Sequence, residues 1–353
     1  MVIMKKIISF KALLLIFFFA SIFISNLYIN KFEKKYFKYV NFEYPSLYHA
    51  DTITYFQSAQ KISDEISEGK NFFTSGGQGS ASFLYPRIIF IFNKVFNKNK
   101  NIIDTNSNKI ILEKYKLFIF FQILLFYVSI LFLHSALSKN FNNRVANLIS
   151  VIIVLNPVIV QWHLSILTES IFISLLIILI SLVITNKKIH YLSIGLLIGV
   201  LYMQRTVAML YPLIIIFYIF LNNELIKEKI TKILLLILGF SLIILIIGFH
   251  NFYRANIFYF TPSQTKTDLQ TYVETEILSK KDNMTMDEII MKFQSRKENI
   301  IKKNNLNLEL ESDYLIYLNK VQSESFNTIL NNKIIFSKII LKRYFHSVLL
   351  NPV

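Results

Sequence analysis

Residues 117–137 read LFIFFQILLFYVSILFLHSAL, an unbroken run with no Asp, Glu, Lys, Arg, Gly or Pro. About 20 consecutive apolar residues in a helix match the hydrocarbon core of a bilayer. A surface helix of a soluble protein keeps one polar face, and this segment has none, so its surroundings are lipid or a protein interior. The rest of the chain has the same character. Of 353 residues, 54% are hydrophobic and 17% are charged, against about 25% charged in soluble domains. That balance excludes a disordered chain, a collagen-like repeat and an ordinary cytosolic enzyme. It leaves an all-α integral membrane protein.

Working outward from that run, six further spans are expected. Ile7–Ile29 is the first, interrupted by Lys11 and preceded by a basic start at Lys5 and Lys6. It is too long for a cleaved signal and reads as an uncleaved anchor. Val145–Val160 is the third span, with Pro157 near its end. Ile166–Thr185 is the fourth, Tyr191–Met203 and Val207–Leu221 the fifth and sixth, and Ile233–Phe249 the seventh. With the N-terminus inside, the short inner segments carry Lys139, Arg144, Lys187, Lys188, Lys227, Lys229 and Lys232, and the short outer ones only Arg205. This is the positive-inside arrangement. The expected organisation is then residues 1–29 as cytoplasmic start and first span, 30–116 as a large outer loop with interfacial helices, 117–250 as spans two to seven, and 251–353 as an outer polar helical segment. Within the loop, Asp51–Ile66 has Ile53, Phe56, Ala59 and Ile62 at helical spacing. Phe83–Phe96 suits a helix lying in the interface, as does amphipathic Lys333–Leu350. The chain ends at Asn351-Pro352-Val353 with no closing span, and the expectation is a sequence incomplete at its C-terminus.

Net charge is +16, but 32 of the 38 basic residues are Lys. With abundant Asn, Ile and Phe, this reads as an AT-rich coding bias. No basic stripe interleaved with aromatics marks a nucleic-acid surface. The six Arg residues are correspondingly more informative than any Lys. Cysteine is absent, which excludes disulfides, Cys-ligated metal centres and a thiol nucleophile.

A few polar groups in apolar surroundings are candidates for chemistry. Asp51 follows the first span and opens a helix; it is either a general base or an N-cap. Glu169, in Leu167-Thr168-Glu169-Ser170, opens the fourth span; it either complements the helix dipole behind a Thr168 cap or faces a cavity. Arg205 lies between two apolar stretches, either snorkelling at a tight turn or offering its guanidinium to a phosphate. Arg254, after the seventh span, carries the same two alternatives. Gly195 and Gly199 form a small-xxx-small pair for helix packing. His49 with Asp51, or His163 with Glu169, supplies too few ligands to define a metal site.

Four segments, in order, resemble the GT-C superfamily of polytopic glycosyltransferases, near the protein O-mannosyltransferases and the lipid A aminoarabinose transferases. They are Asp51-Thr52-Ile53-Thr54-Tyr55-Phe56 after the first span; Phe83-Leu84-Tyr85-Pro86; Asn156-Pro157 followed by Leu167-Thr168-Glu169-Ser170-Ile171-Phe172; and Gly195 to Arg205, continuing to Pro212. Together they cover roughly residues 1 to 260. The chain departs from the family pattern at Thr52, where Glu or Ser is usual, and at Thr206, where Pro is usual. The resemblance implies a sugar donor on a polyprenyl phosphate and a glycan, lipid or protein acceptor entering from the outer face of a bacterial inner membrane. It implies Asp51 as base with inversion, Arg205 or Arg254 at the phosphate leaving group, Glu169 as a second acidic group, and His49 and Tyr85 in substrate binding. No cofactor follows with certainty, and a divalent metal is left open. The rival readings are an O-antigen polymerase or ligase, a secondary transporter, and a non-catalytic scaffold.

Overall fold

The computed structural model describes residues 10–36, 50–76, 83–97, 102, 115–164, 166–188, 190–260 and 269–345. Among the described residues there are helices and no strand. They divide into two units, Met1–Gly76 with Ser82–Leu245, and Gly77–Ala81 with Ile246–Val353.

The first unit begins with α1 (Phe10–Tyr36), α2 (Ala50–Ser67) and α3 (Tyr85–Phe92), the last continuing as a π turn over Asn93–Asn97. Then follow α4 (Lys116–Asn140), α5 (Asn143–Leu155), α6 (Pro157–Leu164), α7 (Thr168–Thr185), α8 (His190–Gln204), a 3-10 turn (Thr206–Leu210), α9 (Tyr211–Leu221) and α10 (Ile226–Ala255), whose residues from Ile246 on belong to the second unit. Three helices are long and apolar enough to cross a membrane: Lys116–Asn140, Thr168–Thr185 and Ile226–Arg254. Shorter apolar helical stretches are Ala12–Ile24, within α1, and Asn143–Leu155, His190–Gln204 and Thr206–Leu221.

α4 shows why such a helix needs no polar face. Ile119, Ile123, Phe126, Ile130, Leu133 and Leu137 are buried, while Leu117, Phe120, Phe121, Leu124, Leu131 and Phe132 are exposed. At about 1.5 Å per residue its 25 residues span about 37 Å. On one side α4 carries α1: Phe10 stacks on His134 with centroids 4.0 Å apart, Phe18 meets Tyr127 edge-on at 5.4 Å, and the Ser21 and Tyr127 hydroxyls hydrogen-bond at 2.8 Å. Rising residue numbers in α1 meet falling numbers in α4, so the two run antiparallel.

α4 also packs against α7. The buried face of α7 carries Ser170, Ser174 and Ser181 among Ile171, Ile177 and Leu179. Small residues let helix backbones approach where lipid offers no hydrophobic drive. The Ser174 and Ser181 hydroxyls donate to the carbonyls four residues back, at 2.9 and 2.7 Å, so neither donor is stranded. α8 and α10 use glycine for the same purpose. A Cβ on Gly195 would strike the Leu236 carbonyl, one on Gly239 the Leu192 carbonyl, and one on Gly199 the Ile243 side chain. The small-xxx-small expectation at Gly195 and Gly199 thus corresponds to a close crossing.

Two expectations are corrected. Val145–Val160 is not one continuous helix: it breaks at Asn156, between α5 and α6. Pro157 has no N–H and its ring opposes a continuing helix. Asn156 stays extended and its Oδ1 accepts from Val158 and Ile159 N–H at 3.0 and 3.3 Å, capping α6. Thr168 is not the N-cap of α7 either. Leu167 occupies that position without a side-chain cap, and the Thr168 hydroxyl donates to Glu169 Oε2 at 3.1 Å instead.

The second unit holds a π turn (Leu269–Glu274), α11 (Thr275–Lys281), α12 (Met286–Asn304), α13 (Glu311–Leu330) and α14 (Lys333–Phe345). Ile277, Ile329 and Ile339 form one buried cluster, with Leu269, Val273, Ile335 and Phe336 against it. The unit also buries a carboxylate, Glu274. Arg296 Nη1 and Nη2 donate to its two oxygens at 2.8 and 2.5 Å, and Ser325 and Thr328 hydroxyls add bonds at 2.7 and 3.1 Å. Burial pushes the Glu274 carboxyl up, but these donors outweigh it and hold the group below the usual carboxylate range.

Candidate functional site

The described candidates of the first unit converge where α3, α4, α7, α8 and α9 present neighbouring ends. The α7–α8 hairpin has arms of 18 and 15 residues joined by a short turn. Arms of nearly equal length bring the start of α7 back beside the end of α8. Arg205 follows α8 directly, and its Nη1 donates to Glu169 Oε1 in the first turn of α7. Thr168 occupies the other Glu169 oxygen. The pair is partly open, with 45% of the Arg205 side chain and 23% of Glu169 exposed. Arg205 therefore does more than snorkel: it has a defined carboxylate partner and outward donors to spare.

The segment leading into α3 reaches the same place through its backbone. Phe83 and Leu84 N–H both donate to the Met203 carbonyl, at 2.9 and 3.2 Å. That carbonyl is among the last in α8, where no intrahelical donor is left for it. Tyr85, which starts α3 ahead of Pro86, is fully buried. Its hydroxyl donates to Gln122 Oε1 of α4 at 3.3 Å, and its ring meets Tyr55 of α2 edge-on at 5.1 Å. Burial pushes the Tyr85 phenol well above its ordinary value, and Tyr55 and the Glu169 charge add to the rise. The group is a neutral donor at physiological pH, and a wall of this region.

Arg87 was not a sequence candidate and proves to be a structural anchor. It is buried, donates to the Phe83 carbonyl at 2.7 Å and the Ser75 carbonyl at 2.6 Å, and lies 3.8 Å over the Phe83 ring. Its neighbour Gly76 takes φ +111, and its N–H donates to Glu65 Oε2 at 2.8 Å. The scarcity of Arg in this chain was the one signal that could have singled it out.

Asp51 is the second residue of α2, four residues before Tyr55; its side chain, and all of His49, lie outside the described residues. Arg254 is half-buried in the last turn of α10, in the second unit. His163 and Glu169 are not joined as ligands: His163 Nδ1 bonds the Ile159 carbonyl at 2.6 Å and Nε2 bonds Ser174 Oγ at 3.3 Å. No cluster of three or more His, Asp or Glu suited to a metal occurs among the described residues.

An apolar groove of about 280 Å³ lies between α7 and α9, further along α7 than Glu169, lined by Leu176, Leu179, Ile180, Val183, Tyr211 and Ile214. Sequence reasoning missed it, because its walls come from segments about 30 residues apart and consist of ordinary apolar residues. Tyr211 marks its connection to the polar end. Its ring lies 6.4 Å from that of Phe172, which is three residues on from Glu169, and the 3-10 turn ties it to Arg205. No family model, curated protein or solved structure matches this chain.

Proposed function

We propose that the chain is a membrane glycosyltransferase of GT-C type, moving a sugar from a polyprenyl-phosphate donor to a glycan, lipid or protein acceptor at the outer face of the membrane, with inversion. The observation that carries this reading is the partly open Arg205–Glu169 pair at the start of α7, with an apolar groove further along the same helix. An amphiphile with an apolar chain and an anionic head calls for both features. The chain would lie along α7 and α9, and the phosphate would engage the spare donors of Arg205. Negative charge grows on that phosphate as the glycosidic bond breaks, and a cation fixed in advance stabilises the transition state more than the ground state. Glu169 orients the guanidinium. Asp51, near the start of α2, would take the proton from the acceptor hydroxyl or amine. Under this reading α1, α5 with α6, α8, and the 3-10 turn with α9 are four further spans, making seven, with residues 30–116 and 251–353 outside.

The test is transfer of radiolabelled sugar from polyprenyl-phosphate donors in membranes containing the chain. Wild type is compared with Asp51→Asn and Arg205→Gln at matched expression. Transfer abolished by Asp51→Asn and reduced about 10²-fold by Arg205→Gln is expected, the latter from loss of a charge-stabilising donor. Transfer unchanged in both variants overturns the assignment of these residues. Absence of transfer with every donor, alongside substrate uptake into vesicles, overturns the class in favour of a transporter.

A further inference from the structure

The second unit contains an open cleft of about 540 Å³ between α12 and α13, with its lysines exposed, that the proposed transfer reaction does not use. Its lining includes Lys292, Arg296, Asn299 and Lys303 of α12 and Lys320 and Glu324 of α13. Intervals of four, three and four residues put the α12 members on one helix face. The lining therefore carries four cations against a single carboxylate. Arg296 is already engaged, by Glu274 behind it and by Glu324, whose Oε2 lies 3.1 Å from its Nε. The three lysine side chains are not: among the described residues none of their ammonium groups makes a hydrogen bond or ion pair. Like charges gathered without counter-charge repel one another and weaken the compact state, so the arrangement favours an anionic occupant.

We propose that this cleft binds a phosphate-bearing anion. Its volume falls within the range of small-molecule sites, about 300–1,000 Å³. Lysine ammoniums act as mobile point charges that suit multiply charged phosphate oxygens. Ser295 and Asn299 add neutral donors at the rim. The lining contains no aromatic ring, so nothing there stacks a base, which favours a simple phosphate or pyrophosphate over a nucleotide. Arg296 is locked by Glu274, and that lock fixes the α12 wall before any ligand arrives. The inference stands independently of the transferase reading.

Inorganic pyrophosphate, titrated calorimetrically into the full chain in non-ionic detergent, tests it. A parallel arm measures retention of phosphatidic acid through purification, to distinguish a free phosphate from a lipid headgroup. The triple variant Lys292→Gln, Lys303→Gln, Lys320→Gln is the comparison, with the single variant Lys320→Gln in reserve should the triple fail to fold. Binding in one arm that weakens about tenfold or more in the triple variant, at an unchanged melting temperature, is the expected result; a tenfold change is about 1.4 kcal/mol. Replacement of the three lysines by Arg should retain binding. Binding in neither arm, or binding indifferent to the Lys→Gln changes, overturns the proposal.

Discussion

Arg296→Met should loosen the second unit more than any other single change in it. The variant removes the two shortest charged contacts to Glu274, at 2.5 and 2.8 Å, and leaves the carboxylate fully buried with only the Ser325 and Thr328 hydroxyls. A hydrogen bond to a charged group contributes about 1.5–3 kcal/mol net, and breaking one side of a buried pair costs about 3–5 kcal/mol, because the remaining charge has lost its partner. Glu274→Met with Arg296→Met should recover a large part of that loss, since removing both charges also removes the desolvation cost. Ser325→Ala should cost about 1–2 kcal/mol, in line with a single bond lost from a carboxylate that keeps its arginine. Native-state hydrogen exchange of α13 amides in detergent micelles measures all three. A loss of 3–5 kcal/mol appears as about two to four orders of magnitude in protection. Acid should reproduce the effect. The folded carboxyl titrates below its ordinary value, so its stabilisation is present above the unfolded value of about 4.3 and fades as pH falls through the folded one. Protection within about 0.5 kcal/mol of wild type in Arg296→Met would refute the account of this hub.

Elsewhere, Gly195→Leu should collapse folded yield in membranes, because the new side chain would occupy the place of the Leu236 carbonyl; a detergent-stable variant at wild-type yield would contradict the close α8–α10 crossing. Asn156→Ala should cost about 1 kcal/mol by uncapping α6, measured as a lowered melting temperature. Lys232→Met should destabilise the ends of α7–α8 and α9–α10 together, since Lys232 Nζ donates to both Asn186 and Glu224, at 2.9 and 2.6 Å. The Lys232 ammonium holds the Glu224 carboxyl below its usual range. This contribution is present above the unfolded carboxyl value and is lost as pH drops through the folded one, so acid and Lys232→Met should not be additive in thermal melts.

Segments whose structure follows from local pattern were legible in the sequence. Asp51–Ile66 shows apolar residues at helical spacing, and the helix runs from Ala50 to Ser67. The residues at that spacing with described side chains, Phe56, Ala59 and Ile62, are its buried face. The break at Asn156 is half legible: Pro157 stands near the end of the apolar run, but the strength of the stop depends on the Asn156 side chain capping the next helix. Glu169 and Arg205 were singled out separately, because each is a charge flanked by apolar residues. Their pairing was not visible, since 36 residues separate them.

The sequence by itself determined that the runs at 117–137, 166–185 and 233–249 lie in helices apolar and long enough to cross a membrane, because those properties depend on composition and length along a single segment. It also marked the charges that need a partner, since an unpaired charge in apolar surroundings is costly wherever it lies. Tertiary structure alone decided who the partners are. Glu274 and Arg296 are both charges in a polar, helix-forming stretch, indistinguishable there from solvated surface residues, yet packing buries one and makes the other its counter-ion. Gly239 is one glycine in an apolar run until Leu192 is brought against it. Burial and pairing are properties of two segments brought together, and no single segment encodes them.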